Sequence, residues 1–397
     1  MKNSKDSASA GGIATTKKEK KTMNENRIVI IGIGALMEKL MPCFENLLGG
    51  DIEKNLIATT ADEGDVERKR QIFPFEIVVG DNTYALDKMR PDIIVFAVPP
   101  QVAMEVTEKD LVPYYEKCRA ADLKIPVLYV FPPRPAADFY LGKLGADLEV
   151  CHILPNVILS IGGKKLENEG LNFITVSDDS VWNEADRETL EKFMSATGHC
   201  IYLHPSKVMT IMTSGVGVIN YAFVLETMSC ALKEAGYEAD INTLAEAARY
   251  ALSKYTGLEV TSDVPGRTCL PDEIFEAVSG FTVKYYDGLR RYCSELGLDD
   301  ETAKEFVDRY FDFYLHFYMS EPESSIKGLV ASQTTKGGVA EKGEIVYREN
   351  MKDRLYSVFS QIGKKTPDDL FYKEVEEYIL DCSKQVLAHG ASMGKKK

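Results

Sequence analysis

The segment Arg27-Ile-Val-Ile-Ile-Gly-Ile-Gly-Ala-Leu-Met37 decides the fold. Ile28 to Ile31 are β-branched and read as a short strand, because such side chains suit a pleated, buried backbone. Gly32 ends the run, and a helical pattern follows from Ala35 to about Leu48. Strand, tight turn and helix in this order open an alternating α/β chain. Gly32 permits the turn. Gly34 leaves room beside the backbone at the helix N-terminus, where unpaired N–H groups favour a pyrophosphate. Met37 stands where a third glycine would let the helix lie close to the sheet. A bare G-x-G also fits a generic strand-to-helix turn, so its context decides.

That context is a series of further strands. Asn55 to Thr60, Phe75 to Val79, Pro91 to Val98, Ile125 to Phe131 and Glu149 to Leu154 are short apolar runs separated by helical stretches, and Ile174 to Val181 is a candidate for closing the sheet. Continuous rather than alternating apolar runs indicate a mostly parallel, doubly wound sheet covered on both faces, a Rossmann arrangement. After about Pro205 the strand signals nearly vanish. Helical periodicity covers Val216 to Glu234, Asn242 to Tyr255, Asp272 to Leu296, Asp300 to Met319, Lys352 to Gly363 and Pro367 to about His389. The expected organisation is a disordered leader over 1–26, a dinucleotide-binding domain over 27–200 and an all-α domain over 201–397. A weak internal similarity pairs Thr213–Tyr221 with Val278–Tyr286, and chance explains it equally well.

Composition narrows the partners. The 397 residues carry a net charge of -14, which argues against nucleic acid or an anionic membrane surface, since both reward clustered cations. Eight scattered cysteines without a C-x-x-C pair read as reduced thiols of a cytoplasmic protein, and neither they nor the five histidines have metal-ligand spacing. Residues 1–26 lack the apolar core of a signal peptide, and no stretch reaches the roughly 18 uninterrupted apolar residues of a membrane span.

The second strand ends in Thr59-Thr60-Ala61-Asp62, with Arg68, Lys69 and Arg70 following. A carboxylate at the strand end would hold the ribose 2′-hydroxyl of NAD; hydroxyls with nearby cations suit the 2′-phosphate of NADP, so NADP is preferred and NAD remains possible. Asp62 blurs that distinction, and an exposed helix face explains the basic trio equally well. Ala97-Val-Pro-Pro-Gln101 and Leu154-Pro-Asn156 close two later strands on the carboxyl edge, where open α/β sheets bind ligands.

With these motifs the chain resembles the pyrroline-5-carboxylate reductases of proline biosynthesis, whose members share G-x-G-x-M-A, A-V-K-P-Q, M-P-N, S-G-S-G-P-A-Y and S-P-G-G-T-T in that order. The matching segments are Gly32–Met37, Ala97–Gln101, Leu154–Asn156, Ser214–Asn220 and Ser332–Gly338, spanning about Arg27 to Gly363. The resemblance implies that Gly32, Ile33, Gly34, Ala35 and Leu36 meet the cofactor phosphates and that Val98, Pro99, Pro100 and Asn156 flank the rest of it. It implies that Ser332, Thr334, Thr335, Gly337 and Gly338 surround the substrate, with Thr334 and Thr335 at its carboxylate and ring. The chain departs from the pattern at Pro99, Val216, Val218, Asn220 and Lys336, and the spacing suggests an insertion at about 238–275 that would reshape the substrate pocket.

The activity so implied is NAD(P)H-dependent hydride transfer to a cyclic imine or imino acid. A protonated imine is already electrophilic, so orientation and a carboxylate site are the main requirements, and a missing acid/base pair is expected. A β-hydroxyacid dehydrogenase is the nearest rival. It needs a lysine base, but Lys207 and Asn220 lack the spacing. A cofactor-binding regulatory protein that has lost catalysis is a third reading. Tyr310, Phe311, Phe313, Tyr314, Phe317 and Tyr318 crowd one helix on nearly all sides, which suits a core helix or, as in the family, a helix interlocked in a homodimer. His204 reads as structural more readily than as a cleft residue, and Trp182 as packing at the junction.

Overall fold

A computed structural model describes residues 26–155, 160–161, 164–165, 171–177, 181–258, 270–334 and 336–392. Its main sheet holds β1 (Ile28–Ile31), β2 (Leu56–Thr60), β3 (Glu76–Val79), β4 (Ile93–Phe96), β5 (Val127–Val130), β6 (Val150–Pro155), β9 (Leu171–Val176) and β10 (His199–Leu203), and β7 (Ser160–Ile161) pairs β8 (Lys164–Lys165) separately. The spatial order is β10-β9-β6-β5-β4-β1-β2-β3. Every neighbouring pair of this sheet is parallel except β6 with β9. Strand order thus reverses at β1, which lies between β2 and β4.

Both faces of the sheet are covered, as the continuous apolar runs require. Ile28 and Ile30 point into a core with Phe44, Leu47 and Phe193; Val29 and Ile31 point into another with Tyr115, Tyr140 and Leu144. Met37, in place of a third glycine, is fully buried in the first of these. The first helix is broken at Leu40 into Ala35–Lys39 and Met41–Leu48, with Pro42 in the first turn of the second piece, the position a helix tolerates.

The strand expected from Ile174 begins three residues earlier, and β10 was not anticipated. In β10 only Ile201 and Leu203 are buried while His199 and Tyr202 face water, so a half-solvated edge strand gives too short an apolar signal to read. Along β9, Ile174 and Val176 face the sheet's own core, and Leu171 and Phe173 face the helices, joined there by Ile201 and Leu203. The last two strands therefore dock the helical region onto the sheet.

The helical region starts with Val208–Glu234, two turns before the expected Val216. This helix is long and apolar enough to cross a membrane by composition, but 83% of its most apolar window is buried by its neighbours, and it serves as the central strut. Around it lie Ile241–Thr256, Asp272–Glu295, Asp300–Ser320, Glu323–Gln333, Val339–Asn350, Lys352–Phe359 and Asp369–Ser392. Asp240 and Asp299 cap two of these by accepting from the Thr243 and Thr302 N–H groups at 2.8 and 2.9 Å. The helices Glu323–Gln333 and Val339–Asn350 were not foreseen. The supposed insertion contains Ile241–Thr256, while residues 259–269 lie outside the described residues.

The two segments with internal similarity pack against each other: Tyr221 and Thr282 hydroxyls are 2.8 Å apart, and Tyr285 donates to the Gly217 carbonyl at 2.6 Å. The aromatic helix needs no second chain to cover it. Phe311, Phe313, Tyr314, Phe317 and Tyr318 are all buried within one chain, with the Tyr318 hydroxyl donating to the Ile219 carbonyl at 2.9 Å. The remaining face of that helix carries Glu305, Arg309, Asp312 and His316, which are half-buried or exposed.

Glycines set the closest helix crossing. A Cβ on Gly288 would lie 1.7 Å from Ile379 Cγ2 and 2.9 Å from the Glu376 carbonyl oxygen. Gly288→Ala gains roughly 1 kcal/mol in helix propensity but forces the helices apart, an overpacking cost of about 1–3 kcal/mol. The expected net result is a lower urea midpoint with an unchanged slope; a variant as stable as the parent would show that this crossing yields freely.

Candidate functional site

The site grows from the turn after β1. Gly32 has φ +95°, a conformation that side chains rarely adopt, and a Cβ there would meet the Ala97 carbonyl carbon and oxygen at 3.0 Å. The N–H groups of Gly32 and Ile33 both donate to the Thr59 carbonyl, at 3.1 and 2.8 Å, tying the turn to the end of β2. Ala97 N donates to the Ile31 carbonyl at 2.9 Å, so the turn rests between the carboxyl ends of β2 and β4.

Gly34 behaves differently. Its backbone is extended, it caps helix Ala35–Lys39 without a side chain, and a Cβ built on it meets nothing within 4 Å. Gly34 and Ala35 are exposed, Leu36 is half-buried, and Ile33 is 1% exposed and belongs to the core. The Gly34 N–H is itself bonded to the Gly32 carbonyl at 2.9 Å, so a phosphate chain on the open side of this loop would be met by the first-turn N–H groups that follow it. Gly32 is thus fixed by the fold, whereas Gly34 is left free by it.

At the end of β2, Thr59 donates from Oγ1 to Asn82 Oδ1 at 2.6 Å, and Asn82 donates in turn to Asp110 at 2.7 Å. Thr60 Oγ1 accepts from the Asp62 N–H at 3.1 Å. Both threonines are buried, 2% and 6% exposed, so the hydroxyls expected at a 2′-phosphate are used internally. Lys69 is buried against Asp65 at 2.7 Å. Arg68 is half-exposed and spans from Asp65 to Glu38 on the first helix, at 2.8 and 2.7 Å. Arg70 pairs with Glu67 and donates to the Ile77 carbonyl. Arg68 and Lys69 both reach Glu38 on the helix that carries the glycine loop, but Lys69 is buried and only Arg68 is exposed enough to meet a ligand.

On the other side of β1 the carboxyl ends of β4, β5 and β6 open onto a cleft of ≈ 1310 Å³. Its walls include Pro100 and Gln101 after β4, Arg134 after β5, His152 on β6, and Ser206 and Met209 where the helical region begins. Of the two residues before Pro100, Val98 is half-buried and Pro99 is exposed. Met209 also packs on Gly390, whose surroundings include Val339. Sequence reasoning missed Arg134 and His152; the Pro-Pro-Arg-Pro run after β5 was their only signal.

The expected substrate residues are not all gathered here. Thr334 closes helix Glu323–Gln333, its hydroxyl donating to the Val330 carbonyl at 2.8 Å, and it lines a separate groove with Phe223, Glu226 and Lys327. The helix that sequence reading lacked carries Thr334 away from the sheet edge. Gly337 and Gly338 lie nearer, for Val339 and Ala340 share a small cavity with Leu154 and Pro155 at the end of β6. Asn156 and Thr335 lie outside the described residues, as does the side chain of Ser332. His204 caps a short turn through Ser206, and Trp182, 6% exposed, donates to Ser177 at 3.3 Å, so both are structural. Among the described residues no cluster could hold a metal, and seven cysteines are free.

No family model matches the chain, and no curated protein matches it in sequence. Solved structures with a similar fold include a pyrroline carboxylate reductase of Plasmodium falciparum with NADP bound, at 12% identity over 93% of this chain and 100% of that one, TM-score 0.38. A pyrroline-5-carboxylate reductase of Coxiella burnetii is similar at 12% identity over 91% and 99%, TM-score 0.40. An NADH-preferring ketol-acid reductoisomerase from an uncultured archean is similar at 14% identity over 79% and 96%, TM-score 0.44.

The contrast between the two glycines is testable. Gly32→Ala should destabilise the protein by about 1–3 kcal/mol through its backbone conformation alone. Gly34→Val should leave the melting temperature within a degree or two of the parent and abolish stabilisation by a dinucleotide, because the new side chain fills the space the phosphates need. A Gly34→Val protein that is still stabilised by NADPH or NADH would place the dinucleotide elsewhere.

Proposed function

We propose that the chain is an NAD(P)H-dependent reductase that transfers a hydride to a cyclic imine or imino acid. The observation that carries this is the glycine turn at the point of strand reversal, open on one side, with a large cleft beside it over β4 to β6. Ligands of open α/β sheets bind in that crevice. Ala35 and Leu36 at the helix start, beside the unobstructed Gly34, would hold the pyrophosphate; Gly32 and Ile33, whose N–H groups are taken by the Thr59 carbonyl, shape the turn, and Val98, Pro99 and Pro100 would flank the remainder. The bound dinucleotide supplies the hydride. The cleft walls orient the acceptor and exclude water, which is nearly all that reduction of a protonated imine asks of a protein.

We keep NADP(H) as the preferred form and place the preference on Arg68. Exposed ion pairs such as those of Arg68 with Asp65 and Glu38 contribute little, so a doubly charged 2′-phosphate can draw the guanidinium away from them. The hydroxyacid-dehydrogenase reading loses its pair of residues. Lys207 Nζ donates to the Leu296 carbonyl at 2.6 Å, and Asn220, 2% exposed, is buried against Gly343.

NADPH at a hundred times its Kd should stabilise the protein by about 2.7 kcal/mol. Arg68→Ala should weaken NADPH by about ten- to hundredfold, the worth of a charged hydrogen bond, and leave NADH unchanged. Equal stabilisation of the parent by both forms would remove the 2′-phosphate assignment, and none by either would remove the cofactor. Oxidation of NADPH in the presence of five- and six-membered cyclic imino acids tests the reaction itself. A protein that binds NADPH but turns over none of these acceptors would be a regulatory dinucleotide binder.

A further inference from the structure

Among the described residues, the cleft contains a buried donor, Arg134 Nε, and a buried ring nitrogen, His152 Nδ1, without hydrogen-bond partners. Arg134 follows β5 and lines the cleft. Its Nε is buried with no hydrogen-bond partner, and its guanidinium forms no ion pair among the described residues. Arg134 as a whole is half-buried, and its buried Nε–H is a donor without an acceptor among the described residues, a cost that an anionic ligand would relieve. Carboxylates are not far away: Glu105 and Glu108 line the same cleft, yet Glu108 pairs with Lys143 at 2.7 Å and neither reaches Arg134.

His152 completes the arrangement. It is 1% exposed, sits on β6 and contributes to the same cleft. Its Nε2 lies 3.0 Å from the Pro135 carbonyl oxygen, which can only accept, so Nε2 carries the proton and donates. Nδ1 is then a bare acceptor, buried and without a protein donor. Burial lowers the imidazole pKa to about 4, so the ring stays neutral at physiological pH and Nδ1 stays an acceptor. Pro135, which adjoins Arg134 in the chain, fixes the ring that lies beside the guanidinium's loop.

We infer that Arg134 and His152 Nδ1 form a two-point recognition site for a small acid, in which the guanidinium binds a carboxylate and the imidazole accepts from an N–H or O–H elsewhere on the same molecule. Arginine suits a planar carboxylate because its N–H groups form a fork of matching geometry. A neutral acceptor beside it excludes acids lacking a donor, since Nδ1 would be left buried and unpaired on binding. Resting on the reductase reading, this deepens it. The acceptor of the hydride is a carboxylate whose ring nitrogen or neighbouring hydroxyl carries a proton, and its anchor is the β5 loop rather than Thr334.

Pyrrole-2-carboxylate has both features on one planar ring, furan-2-carboxylate lacks the donor and pyrrole lacks the acid. The probes are titrated by calorimetry against the full chain, with and without NADPH. Pyrrole-2-carboxylate is expected to bind, furan-2-carboxylate at least tenfold more weakly, and pyrrole not measurably. Arg134→Gln should weaken pyrrole-2-carboxylate by thirtyfold or more and Arg134→Lys by less, while stabilisation by NADPH stays at the parent value in both. His152→Asn should level the pyrrole and furan acids; should that variant not fold, the preference between the two acids in the parent carries the same information. An Arg134→Gln protein that binds pyrrole-2-carboxylate like the parent, a parent that binds furan-2-carboxylate equally well, or a parent that binds neither acid would overturn the site. Loss of NADPH stabilisation in the parent with Arg134-dependent acid binding intact would instead overturn the reductase and leave this site standing.

Discussion

The contact between Gly32 and the backbone of Ala97 is the constraint on which the site depends. It brings the ends of β1 and β4 to one level, and no side chain fits between them at 3.0 Å. Because Gly32 and Ile33 are held at the same time by the Thr59 carbonyl, the chain leaves β1 in one direction only. That direction presents Gly34 and Ala35 to solvent and buries Ile33 and Met37. An opening suited to a phosphate chain is thus a by-product of core packing rather than a feature that costs stability.

Polar groups at the sheet's carboxyl edge divide into those the fold consumes and those it leaves. Thr59, Asn82 and Asp110 form a chain of hydrogen bonds, and Thr60 accepts separately from the Asp62 N–H, so these buried polar groups are satisfied within the fold. On the far side of β1, Arg134 and His152 retain unpaired buried atoms. Native interiors contain few such atoms, so their meeting at one cleft is more informative than either residue alone. The division follows the switch point: the β2 side is internally satisfied, and the β4 to β6 side is not.

The helical region is organised by where side chains are missing. Gly217 faces Leu289 and Ile379, Gly280 faces the Tyr372 ring, and Gly288 faces Ile379. Gly217 lets Leu289 and Ile379 close on the helix Val208–Glu234, whose most apolar window is 83% buried, so a segment apolar enough for a membrane is accommodated in a folded interior. Gly215 likewise admits the Tyr310 ring of the aromatic helix Asp300–Ser320, 3.0 Å from where a Cβ would lie.

The parallel sheet, the glycine turn and the helical character of the second half were legible because each is a local pattern. The run Ile28–Ile31 reads as a strand buried on both faces, and the Val216–Glu234 and Pro367–His389 stretches are apolar over too many residues to be strands, although the first of these helices starts at Val208. The sequence misplaced what depends on distant partners. Whether Phe311 and Phe317 face a second chain or their own could not follow from periodicity, since an all-round apolar helix satisfies either environment. β10 escaped notice because half of its residues face water, and Thr334 was drawn to the site by motif order although an unforeseen helix carries it away. Arg134 and His152 are 18 residues apart and unremarkable as letters. Only the pairing of β5 with β6 brings their loops to one cleft, and only burial there turns an ordinary arginine and histidine into an unpaired cation and a fixed acceptor.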